Sequence, residues 1–398
     1  MPEQTTYGPP AGEGQRDEAL AIVGRCFFPT AAQPRASEFA DSVGAENLRV
    51  LQAGDRTVAT LGLVPMALWF GGRTVPTAGV AAVGVDPEHR GSGFAKALMR
   101  RTLEEIHETG LPLSALYAST YGLYRSVGYE RAGSRFLARL RPPELRSSGG
   151  GARELEVRPI EAADREAVLD LQRRWARMHP GHLERAPHNW NRVTAPQGLC
   201  SQGYLVLREG RPEGYVYWTQ VPAKGHSAYE LAVHDLAALS PEAARRLLTL
   251  FADHGSLATA VSWPSSPTDP VLLALPERFF GLTLQDQWLI RIVDAPAALA
   301  ARGYPPGIEA ELHLAVRDEL LPGNDGRLVL TASGGEARVE RGGQGRIAVG
   351  IRGLAPLYTG HLSAVQLAAA GLLSGPAEDL ELASAVFAGP APWMPDIF

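Results

Sequence analysis

Residues 83–93 read Val-Gly-Val-Asp-Pro-Glu-His-Arg-Gly-Ser-Gly, and their types and spacing suit the binding of a phosphate. Gly91 and Gly93 let the backbone approach a ligand closely, and unpaired N–H groups at the start of a following helix form an anion site. Arg90 adds a cation beside them. The turn lacks the Gly-Lys-Ser/Thr ending of a Walker loop, and it is not the dinucleotide Gly-x-Gly-x-x-Gly. A tight strand–helix turn without a ligand is the plain alternative. The other candidate groups are weaker. His179, His182 and His188 surround Pro180-Gly181 without a carboxylate spacing that makes a metal site, so they read as solvated loop histidines. Arg173-Arg174 and Arg245-Arg246 read as solvated helix faces.

The elements around the turn follow from pattern. Val83-Gly84-Val85 continues a strand from Thr77, which Asp86-Pro87 must end because proline cannot donate to a ladder. From Phe94 the apolar residues take helical spacing, and Gly110 stands where a C′ glycine closes the helix. Ahead of these lie a helix over 15–28 and two hairpin strands around Ala53-Gly54-Asp55-Arg56. Behind them, residues 113–118 form a short strand, and 121–129 a short helix and turn. Residues 1–14 are polar, carry Pro9-Pro10, and are expected to be poorly ordered.

The Gly-Ser-rich stretch 146–153 reads as a flexible linker. After it a strand, a proline stop and an acid-rich helix start begin a second unit, with a hairpin over 203–218 and a helix over 241–254. No Arg-Gly-x-Gly turn recurs there. From about residue 290 the pattern becomes strands (308–316, 326–331, 336–341, 346–352) followed by helices (354–358, 363–373). The chain of 398 residues has room for two to three cores. Its composition, 45% hydrophobic and 20% charged, is that of a globular protein, and a net charge of −5 disfavours nucleic acid as a partner. No run reaches the length of a membrane span, and the first residues do not resemble an export signal, so a cytoplasmic location with no membrane partner is expected. Cys26 and Cys200 lie far apart and in no metal spacing, which fits a reducing setting and no metal.

The Arg90-x-x-Gly93-x-Ala95 turn, the preceding Val-x-Val-Asp-Pro and the later Tyr124-Arg-Ser-Val-Gly-Tyr129 resemble the GNAT superfamily of N-acetyltransferases. Over essentially the whole chain, the order of elements resembles the Eis (enhanced intracellular survival) family within it. The resemblance implies an α+β fold: tandem GNAT-like domains, each a mixed β-sheet flanked by helices, then a sterol-carrier-like α+β domain. The expected divisions are 1–146 (catalytic, with the acetyl-CoA site), 153–290 (GNAT-like, without cofactor) and 291–398. It also implies acetyl-CoA as co-substrate, an amine acceptor such as an aminoglycoside, and a homohexamer. By motif match, Val83, Gly84 and Val85 would pair with the pantetheine arm. Arg90, Gly91, Ser92, Gly93, Phe94, Ala95 and Lys96 would wrap the pyrophosphate, and Ser119 and Thr120 would face the cofactor.

Acetyl transfer to an ammonium substrate needs one proton removed and one supplied to the departing thiolate. Tyr117, Tyr124 and Tyr129 are candidates for the second task, a phenol having a reference pKa of about 10. The family match selects Tyr124 as general acid, with Tyr129 read as core. For the first task the resemblance implies the terminal carboxylate of Phe398, at the end of a proline-stiffened segment expected to dock. Phe27-Phe28-Pro29 and Ile397 stand where aminoglycoside-acetylating members carry acids, Tyr117 replaces a usual histidine, and Asp396, Asp41 and Glu46 are the few acids left as candidates. Trp69, Phe70 and Trp393 would suit a more apolar amine pocket. Acetylation of a protein lysine or small polyamine, and a catalytically silent protein that binds coenzyme A or lipid, are the alternatives.

Overall fold

The computed structural model describes residues 5–27, 43–148, 152–224, 227–275 and 277–398. The chain divides into two compact units, one of Met1–Ala132, Trp288–Gly389 and Phe398, the other of Gly133–Gln287 and Pro390–Ile397. Phe28, Pro29 and Asp41, and residues 149–151 of the expected linker, lie outside the described residues.

In the first unit, β1 (Thr5–Gly8), helix α1 (Glu13–Phe27), β2 (Leu48–Ala53), β3 (Arg56–Phe70) and β4 (Arg73–Val85) precede helix α2 (Phe94–Glu108), β5 (Leu113–Tyr117) and helix α3 (Tyr121–Arg125). The strands β1 to β4 are antiparallel neighbours in chain order. β5 joins β4 in parallel and is flanked on its other side by Trp288–Ile292. Residues 5–8 are therefore a paired edge strand, not the poorly ordered tail that their composition suggests. Tyr7 donates to Glu105, which Arg49 also grips at 2.6 Å, so polar contacts between elements hold what apolar burial alone does not. The long β3–β4 hairpin turns at Gly71 and Gly72, both at positive φ.

Helix α2 buries Phe94, Leu98, Met99, Thr102, Leu103 and Ile106, the stripe expected from a 3.6-residue period. Each large apolar side chain so buried contributes about 1.5–3 kcal/mol. Also within this unit, a five-stranded sheet in the order Glu336–Arg341, Gly326–Ser333, Ala310–Arg317, Ile347–Gly350, Leu373–Ser374 carries the helices Ile351–Thr359 and Ala377–Val386. It is joined to the first sheet by a buried ion pair, Arg291–Asp318 at 2.7 Å, and by Gly303 N–H donating to the Phe70 carbonyl at 2.9 Å.

The second unit repeats the theme. Its strands run Ala258–Ser265, Tyr229–Ala238, Arg211–Pro222, Gln202–Arg208, Glu156–Pro159, with residues 136–140 beside the first of these. The Tyr229–Ala238 and Ala258–Ser265 strands are parallel and linked by the helix Pro241–Asp253. Mixed sheets with flanking helices give an α+β chain. Among the described residues, no helix is long and apolar enough to cross a membrane.

Candidate active site

β4 and β5 begin together and then part. Their parallel pairing covers Thr77↔Leu113, Ala78↔Ser114 and Gly79↔Ala115 and stops there. Residues 80–85 of β4 keep β3 on one side and have no strand on the other among the described residues. A β-bulge sits in this stretch: Thr60 faces Gly84 while Gly62 faces Ala81, so β4 carries one residue more than β3. Ala82 takes a left-handed φ of 50° there. A bulge of this kind re-aims the strand beyond it, here the segment holding Val83, Gly84 and Val85. The free edge can accept an extended amide-bearing arm by strand-like pairing.

The glycine turn follows directly. Arg25 clamps Asp86 at its start through two bonds of 3.0 and 2.8 Å. Gly91 and Gly93 stand at φ 81° and 82°, and a Cβ at either would meet nothing within 4 Å. Glycine is needed there for backbone conformation, not for room. Gly93 is the N-cap of α2 without any side-chain cap hydrogen bond. The first N–H groups of the helix, those of Phe94, Ala95 and Lys96, are left for an anion. Arg90, Ser92 and Lys96 are exposed around them, whereas the Phe94 side chain is in the core, so only its backbone serves a ligand. Asp86, Glu88 and His89 bring ligand atoms within 4.8 Å of one another, but Asp86 is paired with Arg25 and Glu88 lies 3.6 Å from Arg56.

The structure brings Phe398 to the point where the strands part. Its ring lies on Gly79, the last paired residue of β4, where a Cβ would come within 2.9 Å of it. It also lies 5.5 Å from the Tyr117 ring at the end of β5. Phe398 is 9% exposed and carries the α-carboxyl to this place. Tyr124, on α3, is buried in the same core as Ala78, Val80 and Leu116, with its ring 6.0 Å from Tyr129. Burial pushes its phenol up to about 12, and its hydroxyl has no hydrogen-bond partner among the described residues. Tyr129 is fully buried and its hydroxyl pairs with Ser114 at 2.7 Å. Ser119 and Thr120 are exposed between β5 and α3, and Thr120 makes no side-chain cap bond there.

Of the residues considered for an amine pocket, Phe70 packs on Tyr358, and Glu46 is exposed at a surface turn. In the second unit, Asp396 is buried, accepting from Arg185 Nε at 2.8 Å. Arg185 also grips Asp235, which accepts from the Tyr215 hydroxyl. Removing one partner of such a buried pair costs about 3–5 kcal/mol. His179 and His182 are not solvated loop residues: they are 6% and 2% exposed, stacked on each other, and packed around Trp393. Burial holds both below the usual histidine range, His182 well below. The Pro180-Gly181 sequence signalled a loop, and only the tail packed against it makes the loop interior. Its aromatic neighbours Trp175 and Trp393 were the available clue.

Residues 10–132 and 181–292 each match the family described as an acetyltransferase (GNAT) domain, and residues 295–395 match the sterol carrier protein domain. A protein named as an uncharacterized N-acetyltransferase of Streptomyces avermitilis is 32% identical over 365 residues, 87% of this chain and 88% of that one. The N-acetyltransferase Eis of Mycobacterium tuberculosis is 29% identical over 372 residues, 85% and 88% of the two chains. Among solved structures, a GCN5-related N-acetyltransferase of Anabaena variabilis superposes with a TM-score of 0.93 at 35% identity, covering 99% of this chain and all (100%) of that one. Eis1 of Mycobacterium abscessus gives 0.81 at 25% identity, with coverage of 99% and 100%.

Proposed function

The chain belongs to the Eis family of GNAT N-acetyltransferases, and from that membership we propose that it acetylates amines of aminoglycosides or similar polyamines, with Tyr124 and the Phe398 carboxylate moving the protons. It is an acyltransferase with acetyl-CoA as co-substrate. The single observation that supports the two-residue reading is the seat of Phe398 on Gly79 and Tyr117, where β4 and β5 part.

Acetyl-CoA supplies the activated acetyl thioester. The residues at hand fit it: the uncapped start of α2, with Arg90 and Lys96, suits a pyrophosphate, and the unpaired edge of β4 at Val83, Gly84 and Val85 suits the amide-bearing arm. Gly91, Ser92, Phe94 and Ala95 offer backbone N–H groups, and Ser119 and Thr120 complete the cofactor side.

The Phe398 carboxylate accepts a proton from the substrate ammonium. Tyr124 donates toward the departing sulfur. With its phenol near 12, full transfer to a thiolate of ordinary pKa, about 8.5, is uphill by roughly 3–4 units. Tyr124 therefore works first as a hydrogen-bond donor that stabilises charge developing on sulfur while the C–N bond forms and the C–S bond breaks, and its proton passes to the leaving sulfur as the acetylated nitrogen gives up its second proton to replace it. The chain is further proposed to act as a homohexamer in a reducing cytoplasm, in line with the free thiols Cys26 and Cys200.

The test is thiol release from acetyl-CoA with aminoglycosides, polyamines and lysine peptides as acceptors, for wild type, Tyr124→Phe and a chain lacking Phe398. Turnover on aminoglycosides or polyamines, lowered about 100-fold or more in both variants, is expected. Turnover on lysine peptides alone moves the acceptor to protein. Acetyl-CoA binding without turnover on any amine overturns the reading.

A further inference from the structure

Helix α3, which carries Tyr124, is only five residues long, so its own backbone bonding holds it weakly. The turn that follows is built on the Tyr124 carbonyl: the N–H groups of Val127 and Tyr129 both donate to it at 3.1 Å. Whatever fixes residues 125–130 therefore governs where the Tyr124 ring stands. Two clamps reach this turn, one from Asp318 and one from Arg352. Both residues belong to the sterol-carrier-like domain and lie in the same compact unit as Tyr124.

The first clamp is interior. Both oxygens of the buried Asp318 accept from Arg291 Nη2 at 2.7 Å, and Asp318 is itself fixed by the N–H groups of Leu320 and Leu321 and by Asn324 Nδ2 at 2.8 Å. Arg291 Nε donates to the Val127 carbonyl at 2.9 Å. The guanidinium packs on Gly128, at φ 93°, where a Cβ would come within 2.6 Å of Nε. Arg291 also stands opposite Ser114 across the strand pair, so the two side chains share a face. Ser114 donates to the Ala78 carbonyl at 3.0 Å and pairs with the Tyr129 hydroxyl, which fixes the ring packed against Tyr124. The second clamp lies nearer the surface. Arg352, on the helix Ile351–Thr359, grips Glu130 Oε2 with Nε at 3.1 Å and Nη2 at 2.5 Å, while Arg125, next to Tyr124, holds Oε1 of the same buried carboxylate at 2.6 Å.

We propose, resting on the Tyr124 reading above, that the sterol-carrier-like domain positions the proton donor: Asp318 through Arg291, and Arg352 through Glu130 and Arg125, hold the turn that sets the Tyr124 hydroxyl against the departing sulfur. A buried ion pair adds little net stability over apolar side chains of the same shape, and its best-attested use is to fix one geometry. Geometry is what a donor to sulfur needs, since a misplacement of about 1 Å costs about 100-fold in rate. The bonds of both clamps end on the Tyr124 turn and not on residues 83–85 or 90–96, so the chemical step feels them and cofactor binding does not. The third domain thus serves the reaction as a brace, without a ligand of its own.

The full-length chain is assayed for thiol release with Arg291→Lys, Asp318→Asn and Arg352→Met, each alone and combined with Tyr124→Phe. Arg291→Lys and Asp318→Asn are expected to lower kcat about 10- to 100-fold and Arg352→Met about threefold, with the KM for acetyl-CoA within about twofold of wild type. In Tyr124→Phe, where no hydroxyl is left to position, the same substitutions should lower kcat by less than about twofold more. A second readout needs no turnover: amide exchange at Val127 and Tyr129 should quicken about tenfold in Arg291→Lys. Losses that multiply in the double variants, or a lost kcat with unchanged exchange, overturn positioning and make the clamps merely structural. Wild-type kcat in all three clamp variants, with activity lost in Tyr124→Phe, overturns positioning and leaves the donor reading standing. Wild-type kcat in Tyr124→Phe, or no turnover on any amine, overturns the donor reading and the positioning role with it. Should the buried variants not fold, Arg352→Met, whose side chain is 40% exposed, completes the cycle alone.

Discussion

The two GNAT-like domains use one scaffold with opposite local chemistry. Each has a β-bulge near the end of its central strand, at Ala82 in the first and around His234 in the second, and each lets the following parallel strand fall away. In the first, residues 86–93 form a glycine turn with Arg90, and α2 begins uncapped. In the second, only residues 239 and 240 separate strand from helix. Ser240 caps Ala243 N–H at 3.2 Å, Pro241 occupies the first helical position, and Glu213 and Glu242 stand close by. An anion site needs free N–H groups and net positive charge; the second start has a capped N–H and a proline without one, and its nearby arginines, Arg208 and Arg245, are already paired with Glu213 and Glu242. Only the first domain joins this scaffold to a glycine turn and an uncapped helix start, the combination proposed above to hold the cofactor.

That contrast breaks first at Gly93. A Gly93→Val variant places a β-branched residue at φ 82°, where L residues are strained by about 1–2 kcal/mol or more. The KM for acetyl-CoA should rise about tenfold or more in steady-state assays, and an unchanged KM would remove the turn from the cofactor site. Next in size is a pH effect confined to the second domain. His179 and His182 are held neutral by burial, so the unfolded chain binds more protons below about pH 6.5. Stability is therefore present above that pH and falls as it drops, by about 1.4 kcal/mol per pH unit for each histidine until its folded pKa is reached. Denaturant titrations at several pH values should show this slope, and His182→Gln should flatten it.

Ser240→Ala should cost about 1 kcal/mol of stability through the lost cap and leave the KM for acetyl-CoA unchanged; a weakened KM would mean that the second helix start also serves the cofactor. The smallest effect is at Ala82. Glycine there relieves a left-handed alanine and adds chain entropy to the unfolded state, two opposed terms. Thermal unfolding of Ala82→Gly should shift stability by no more than about 0.5 kcal/mol.

Sequence alone determined what is local. The glycine turn ahead of α2 was legible because Gly91 and Gly93, both at positive φ, are demanded by backbone torsion, a property of neighbouring residues; that it holds a phosphate is the proposal made above. The stripe of α2, its end at Gly110 and the stop at Asp86-Pro87 were legible for the same reason. The α+β order of two GNAT-like domains and a sterol-carrier-like one came from the resemblance that these motifs and this order of elements bear to a known family. Tertiary structure decided what depends on distant chain. Thr5–Gly8 is ordered because β2 pairs with it. His179 and His182 are interior because Trp393 covers them, and Asp396 is an ion-pair partner because Arg185, far away in sequence, is buried beside it. The parting of β4 from β5 at Gly79 was equally invisible, since each strand reads as continuous and only their register shows where pairing ends. Burial and pairing belong to contacts across the chain, and no window of sequence contains both partners.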